Sequence, residues 1–311
     1  MPVEGTASPD ERGRIVWAVV WMLGAIVSFT AMAVAGRAAA QGVDALQIAV
    51  WRTFIGVSIL IVIVMVRGVP FGSLVTKRPD LQIVRNLIHF TAQFCWLYAL
   101  TRMTLAELTT LEFTAPLWVA LLAPLLLGER LTALRLGAVV LGFVGVLIVV
   151  RPGVISLSEG TPFALTAALG YAFSMIITKR LLQGGDNAFT ILLWMQGLQV
   201  LIGLAIVLAG PLFGYDKGLV IPDAVTFAWI AVVGVLGLTA HYALATAFTY
   251  GDAIIVAPLD FLRLPLIAVV GVMLYAEPLD FWVLGGGLVV VLANLLNIRG
   301  ERRRVASIQS S

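Results

Sequence analysis

Runs of about twenty apolar residues recur along the whole chain, each long enough as a helix to cross the hydrocarbon layer of a bilayer. One such run is LTTLEFTAPLWVALLAPLLLGE, from Leu108 to Glu129. With 60% hydrophobic and 12% charged residues and a mean hydropathy of +1.02, a chain of 311 residues has more apolar surface than a soluble domain can hide. The pattern predicts an all-α integral membrane protein with ten transmembrane helices at about 15–37, 45–66, 81–102, 105–127, 134–150, 160–181, 188–210, 226–249, 253–275 and 279–298. The runs are continuous rather than alternating, which excludes a barrel. Ala38, Ala39 and Ala40 after the first run imitate a secretory cleavage site. The run from Ile15 is longer than a signal core, however, and has a counterpart later in the chain, so it reads as a membrane helix.

Basic residues set the expected orientation, because cytoplasmic loops collect Lys and Arg. With both termini cytoplasmic, only Arg37, Arg102, Arg151 and Lys217 fall in outer loops, against fourteen basic residues inside. Residues 1–14 form a cytoplasmic tail, and the RGERRR run heads a second, basic tail over 300–311, suited to anionic headgroups and not to nucleic acid. Cys95 is the one cysteine and lies inside a predicted span, so there is no disulfide framework.

The chain repeats itself. VAPLDFLRLPLIAVVGVMLYAE, from Val256 to Glu277, has the length of the 108–129 run, with Asp260 in the place of Glu112. A single ungapped offset puts Thr91 on Thr239, Gln93 on His241, Phe113 on Phe261, Glu129 on Glu277 and Arg151 on Arg299. A slightly shorter offset puts Met32 on Met175, Arg37 on Arg180 and Trp51 on Trp194, and the difference falls in the long connection around PLFGYDKGLVIPD. Two five-helix units result, 15–151 and 152–299. Five is odd, so the second unit enters the membrane from the opposite side, giving two inverted five-helix repeats.

The ten-helix 5+5 layout, the WRTF start of the second helix, the passage LLLGERLTALRLGAVVLGFVGVLIVVRPG and its weaker echo MLYAEPLDFWVLGGGLVVVLANLL resemble the drug/metabolite transporter superfamily, in its EamA-type branch. The second copy departs from the pattern with Ala276, Glu277 and Pro278 where the first has Gly128, Glu129 and Arg130. The resemblance implies a transporter of amino acids or related metabolites in a bacterial-type inner membrane, multi-pass, with alternating access between the two units and no cofactor. Its partners are a small-molecule solute and the lipid bilayer; whether protons accompany the solute is open.

Polar residues inside the spans are the candidate solute site. His89, Gln93 and Trp96 follow i, i+4, i+7 and occupy one helix face, suited to a solute cavity or to bonds between helices. His241, opposite Gln93 in the repeat, and Tyr242 beside it join the candidates, as do Glu112, Asp260 and Arg263. At about 1.5 Å per residue, Glu112 lies about 6 Å to the outer side of the middle of its helix and Asp260 about as far to the inner side. On that ground the two carboxylates stay apart, and Arg52, at the depth of Glu112, is expected to pair with it as a gating contact. Arg263 either pairs with Asp260 three residues earlier or meets an anionic group on the solute. Glu129, Glu277, Arg151 and Arg299 complement helix ends, while Pro116, Pro124, Pro258 and Pro265 bend the fourth and ninth helices.

An enzyme is the competing class, followed by a membrane scaffold. There is no zinc-protease histidine pair, no Gly-x-Ser-x-Gly elbow and no phosphate loop, and two histidines with one cysteine offer little to a metal.

Overall fold

The computed structural model describes residues 9–127, 133–152, 158–250, 256 and 259–309. Its regular elements are α1 (Pro9–Ala39), α2 (Ala45–Arg67), α3 (Pro79–Leu100), α4 (Leu105–Glu112), α5 (Ala115–Leu127), α6 (Ala133–Val150), α7 (Gly160–Gln183), α8 (Ala188–Ala209), α9 (Ala224–Tyr250), α10 (Arg263–Tyr275) and α11 (Phe281–Gln309). Short 3-10 turns, Phe71–Leu74 and Gly210–Phe213, sit in two connections. Eight helical stretches among the described residues are long and apolar enough to cross a membrane. The chain is a multi-pass membrane protein. Exposed Val16, Val20, Val62, Met65, Val66 and Leu288 belong to an apolar outer surface too extensive for water.

The helices follow the sequence reading with three differences. The first begins at Pro9, so part of the expected N-terminal tail is helical, and the last runs through the RGERRR stretch to Gln309. The fourth span is two helices, α4 and α5, with a two-residue break between them. In the ninth span the chain is helical at Leu259 and Asp260, breaks at Phe261 and Leu262, and resumes as α10. The breaks occupy matching positions in the two copies.

Local signals explain the ends. Asp44 caps α2 by accepting the Gln47 N–H at 3.1 Å, and Asn187, its repeat counterpart, caps α8 through the Thr190 N–H at 2.8 Å. Thr104 and Glu107 close a reciprocal capping box at the start of α4. Trp51 and Trp194 also do the same work in the two copies: their Nε1 groups donate to Val220 O at 2.8 Å and to Leu74 O at 2.9 Å, each pinning a connecting loop.

Packing pairs α1 with α9, α3 with α7, α2 with α8, α4 with α10 and α6 with α11. Numbered as membrane spans, these are 1 with 8, 3 with 6, 2 with 7, 4 with 9 and 5 with 10. Exchanging each span for the one five places along turns the first pairing into the second and leaves the other three unchanged. The α6–α11 contact is backbone to backbone. A Cβ on Gly286 would lie 2.7 Å from Gly145 O, and one on Gly145 would lie 2.8 Å from Gly286 O, so glycine permits the approach.

Candidate functional site

The two helix breaks meet at the centre of the molecule. Pro116 has no N–H to give to the carbonyl of Glu112, and Pro265 none for that of Phe261, so each helix loses a bond at its break. The Leu264 N–H turns to Phe261 O at 3.1 Å, and other groups beside the breaks re-pair as well. Thr114 Oγ1 donates to Leu111 O at 2.6 Å, the Leu117 N–H turns to Thr114 O at 2.9 Å, and Asn294 Nδ2 reaches from α11 to Phe113 O at 2.8 Å. Phe113 and Phe261, the repeat-matched residues of the breaks, touch edge to face at 5.3 Å.

Around this contact lies a buried charge network. Arg263 opens α10 and pairs with two carboxylates: Nη1 lies 3.0 Å from Glu112 Oε1 and Nε 3.5 Å from Asp260 Oδ1. Its guanidinium sits 4.9 Å from the Phe113 ring centre and 5.0 Å from that of Phe29. Trp96 donates its indole N–H to the other Glu112 oxygen at 3.0 Å. Side-chain exposures of 8% for Arg263, 19% for Glu112 and 27% for Asp260 put the arginine deepest.

Two expectations are corrected here. Glu112 pairs with Arg263 and not with Arg52, and the two carboxylates lie on one guanidinium in spite of their different depths. Depth along a helix ignores where the side chains reach, and the break lets α10 start with Arg263 beside the end of α4. Arg263, doubly paired, is also not the free cation that an anionic solute would need.

A second group lies beside the first. His89 Nδ1 is 3.1 Å from Ser174 Oγ, and its ring lies against Tyr171 at 5.4 Å. The His241 ring meets Phe29 at 5.4 Å. His241 is exposed, one helical turn along α9 from Gly237, beside which Arg52 lies. Arg52 is buried on the surface of α9, where a Cβ at Gly237 would stand 3.3 Å from its Nη2. Arg85 donates through Nε to Thr178 Oγ1 at 2.7 Å and through Nη2 to Met195 Sδ at 3.6 Å.

Gln93 is fully enclosed on the same helix face as His89 and Trp96. Tyr242 falls outside the group. It is 64% exposed, with its ring against Trp21 at 5.8 Å, because the residue after His241 points about 100° round the helix. Sequence reasoning overlooked Arg85, Tyr171 and Ser174 as site residues. Extending the helix-face stripe one step back from His89 would have reached Arg85; Tyr171 and Ser174 carry no such signal and join the site only because α7 packs on α3.

At the expected outer end, charges tie the two copies together. Arg37 bonds Glu277, Met103 O and, at 2.7 Å, Leu100 O, while Glu277 accepts the Leu105 N–H at 2.9 Å. Glu277 thus complements a helix N-terminus, but that of α4 and not of the helix following it in sequence. Arg151, at the end of α6, pairs with Asp280 before α11. Glu129 and Pro258 lie outside the described residues, and the Arg299 side chain is likewise not described. A cavity of about 660 Å³ opens at this end between Asp44, Phe94, Tyr98, Arg102 and Tyr215, apart from the charge network. At the other end Asp186 accepts from Lys77 N at 2.8 Å, from Gln82 Nε2 at 3.2 Å and from Thr76 Oγ1. Burial pushes the Asp186 carboxyl upward, but these donors and the Lys77 charge outweigh it and hold it below the usual carboxylate range.

The sequence model of a family described as EamA-like transporters matches residues 16–151 and again 159–299. An S-adenosylmethionine uptake transporter of Rickettsia felis is 24% identical over 92% of this chain and 94% of its own. A riboflavin transporter of Brucella anthropi is 28% identical over 90% of this chain and 98% of its own. A protein solved by crystallography shares the fold with a TM-score of 0.62 at 17% identity, covering 92% of this chain and 98% of that one. The Rickettsia felis and Brucella anthropi relatives are named as transporters and not enzymes, and with the family match they support a role in moving a small metabolite across a membrane.

Proposed function

Given that the chain belongs to the EamA-like transporter family, we propose that it carries an amino acid or a related polar metabolite by alternating access, with the solute held between the two five-helix units at the meeting helix breaks. The observation that carries this reading is the pairing of breaks. Residues 113–114 and 261–262 interrupt the fourth and ninth spans at repeat-matched positions, and backbone freed from helix inside a membrane is tolerated only where protein or a cavity receives it. The exchange symmetry of the helix pairings supports two units inserted in opposite senses.

The ties of Arg37 to Glu277 and of Arg151 to Asp280 join the two units at the expected outer end. Breaking and remaking ties of this kind is the step by which alternating access would present one site to either compartment. The distribution of Lys and Arg favours both termini in the cytoplasm of a bacterial inner membrane.

Solute counterflow into proteoliposomes tests the reading. Accumulation of a labelled amino acid or related metabolite against an unlabelled internal pool is the expected result, and failure across a broad polar-metabolite panel sinks it. Repeating the assay with a pH gradient decides whether protons travel through Glu112 or Asp260. Indifference to the gradient removes them from the mechanism.

A further inference from the structure

Helices α2 and α8 each hold the loop that follows the other, at both ends of the bundle at once. At the expected outer end Gln47 Nε2 donates to Gly218 O at 2.7 Å, Gln47 Oε1 accepts the Val220 N–H at 3.1 Å, and Trp51 Nε1 donates to Val220 O. Asp44 adds the Tyr215 hydroxyl at 3.1 Å and Lys217 Nζ at 3.3 Å. At the opposite end the repeat counterparts of Gln47 and Trp51 do the same work. Thr190 Oγ1 donates to Ser73 O at 2.8 Å and Trp194 Nε1 to Leu74 O, while Asp186 holds Thr76 and the Lys77 N–H. Between these two clasps the helices touch closely. A Cβ on Gly56, the middle residue of α2, would lie 2.8 Å from Gln196 Cδ, and one on Gly203 would lie 2.6 Å from Val50 Cγ2.

Among the described residues the contact of α1 with α3 is one-ended. Arg37 reaches from α1 to Leu100 O at the end of α3, and a Cβ on Gly36 would stand 2.8 Å from Leu100 Cδ2. The repeat lays Arg37 on Arg180 and Leu100 on Phe248, but Arg180 is exposed and bonds Leu126 O instead. In an inverted repeat, alternating access exchanges the conformations of the two copies. A contact made at one end only must then pass to the other end, whereas a contact made at both ends together is carried onto itself.

We infer that the α2–α8 seam, closed by its two clasps, is the fixed pivot of the transport movement: the α1–α9 pair and the α3–α7 pair swing about it, and the α1–α3 contact opens. This inference rests on the transporter reading and specifies which helices stay and which move. Parting α2 from α8 would break both clasps together and strip Gln47 and Thr190, 0% and 1% exposed, of their partners, and a buried polar group left unpaired is costly. The Phe113–Phe261 contact is also carried onto itself by the exchange, so the pivot axis runs from the seam to the meeting helix breaks.

The test is crosslinking in the full chain with Cys95→Ala, read as counterflow into proteoliposomes with labelled amino acids, S-adenosylmethionine and riboflavin as probes. Gly56→Cys with Gln196→Cys joins α2 to α8, and Gly36→Cys with Leu100→Cys joins α1 to α3. Oxidation to the disulfide, measured as loss of maleimide-reactive thiol, is expected to leave the first pair transporting at its reduced rate and to stop the second until dithiothreitol is added. If the first pair does not assemble or oxidise, Val50→Cys with Gly203→Cys reads the same seam. Counterflow blocked by the α2–α8 disulfide and restored by reduction overturns the inference and leaves the transporter reading standing, as does counterflow unaffected by the α1–α3 disulfide. Movement of no probe by the Cys95→Ala chain overturns the transporter reading, and the inference falls with it.

Discussion

Replacing Glu112 by Gln removes a charge from Arg263 without changing the shape of the side chain. At an effective dielectric of about 20, two unit charges at the 3.0 Å of Glu112 attract by about 5.5 kcal/mol, and at the 3.5 Å of Asp260 by about 4.7 kcal/mol. Desolvation offsets much of each, and a buried ion stripped of its partner costs about 3–5 kcal/mol. Glu112→Gln leaves Asp260 in place, so the expected loss is about 2–3 kcal/mol, with Asp260→Asn slightly smaller. The double change leaves Arg263 bare, so its loss should reach about 3–5 kcal/mol, that of a stripped buried ion, and depart from the sum of the single losses by about 0.5 kcal/mol or more. Arg52 makes no contact with Glu112, so Arg52→Gln combined with Glu112→Gln should be additive within about 0.5 kcal/mol. Reversible unfolding in mixed micelles, followed by the fluorescence of the eight tryptophans, measures all of these. Coupling of Glu112 to Arg52 as strong as to Arg263, or an Arg263 coupling below about 0.5 kcal/mol, would refute the network and restore the pairing expected from depth alone.

Three other outcomes follow from single contacts. Gly286→Ala should destabilise by about 1–3 kcal/mol, because the new methyl meets the Gly145 carbonyl. Gly285→Ala, with nothing within 4 Å, should be neutral or stabilising by up to about 1 kcal/mol, as thermal unfolding of the two variants will register. Glu277→Gln loosens the hold on Arg37 and on α4, so a membrane-impermeant maleimide added outside should label Cys95, buried five residues before the end of α3, about tenfold faster; an unchanged rate means that these bonds do not close the outer end. Asp186 has its carboxyl held down in the folded protein, so its stabilisation is full above the unfolded value of about 3.9 and fades as pH falls through the lower folded value. Asp186→Asn should therefore be less stable at neutral pH and lose less stability on acidification below about pH 4.

Sequence alone determined what can be written one residue at a time. Apolar runs of membrane length fixed the helices, since lipid offers their backbones no other partner. The two offsets, one laying Phe113 on Phe261 and the other Trp51 on Trp194, declared the duplication, because composition does not align aromatic and charged residues over such distances. Buried acids and prolines in the fourth and ninth spans marked those helices as special.

Which charges meet was decided only by tertiary structure. Depth along isolated helices paired Glu112 with Arg52, whereas the helix breaks re-aim the chain and set Arg263 between Glu112 and Asp260. Likewise Glu277 complements the start of α4 because the connection before α11 folds across to the other copy. Tyr242 and His241 are neighbours in sequence, and only the packing of α9 against α1 distinguishes the one whose ring meets Phe29, the ring that also faces Arg263. Ion pairs form over a few ångströms between side chains that are many turns apart in sequence, so the pattern of a single helix holds no record of its partner.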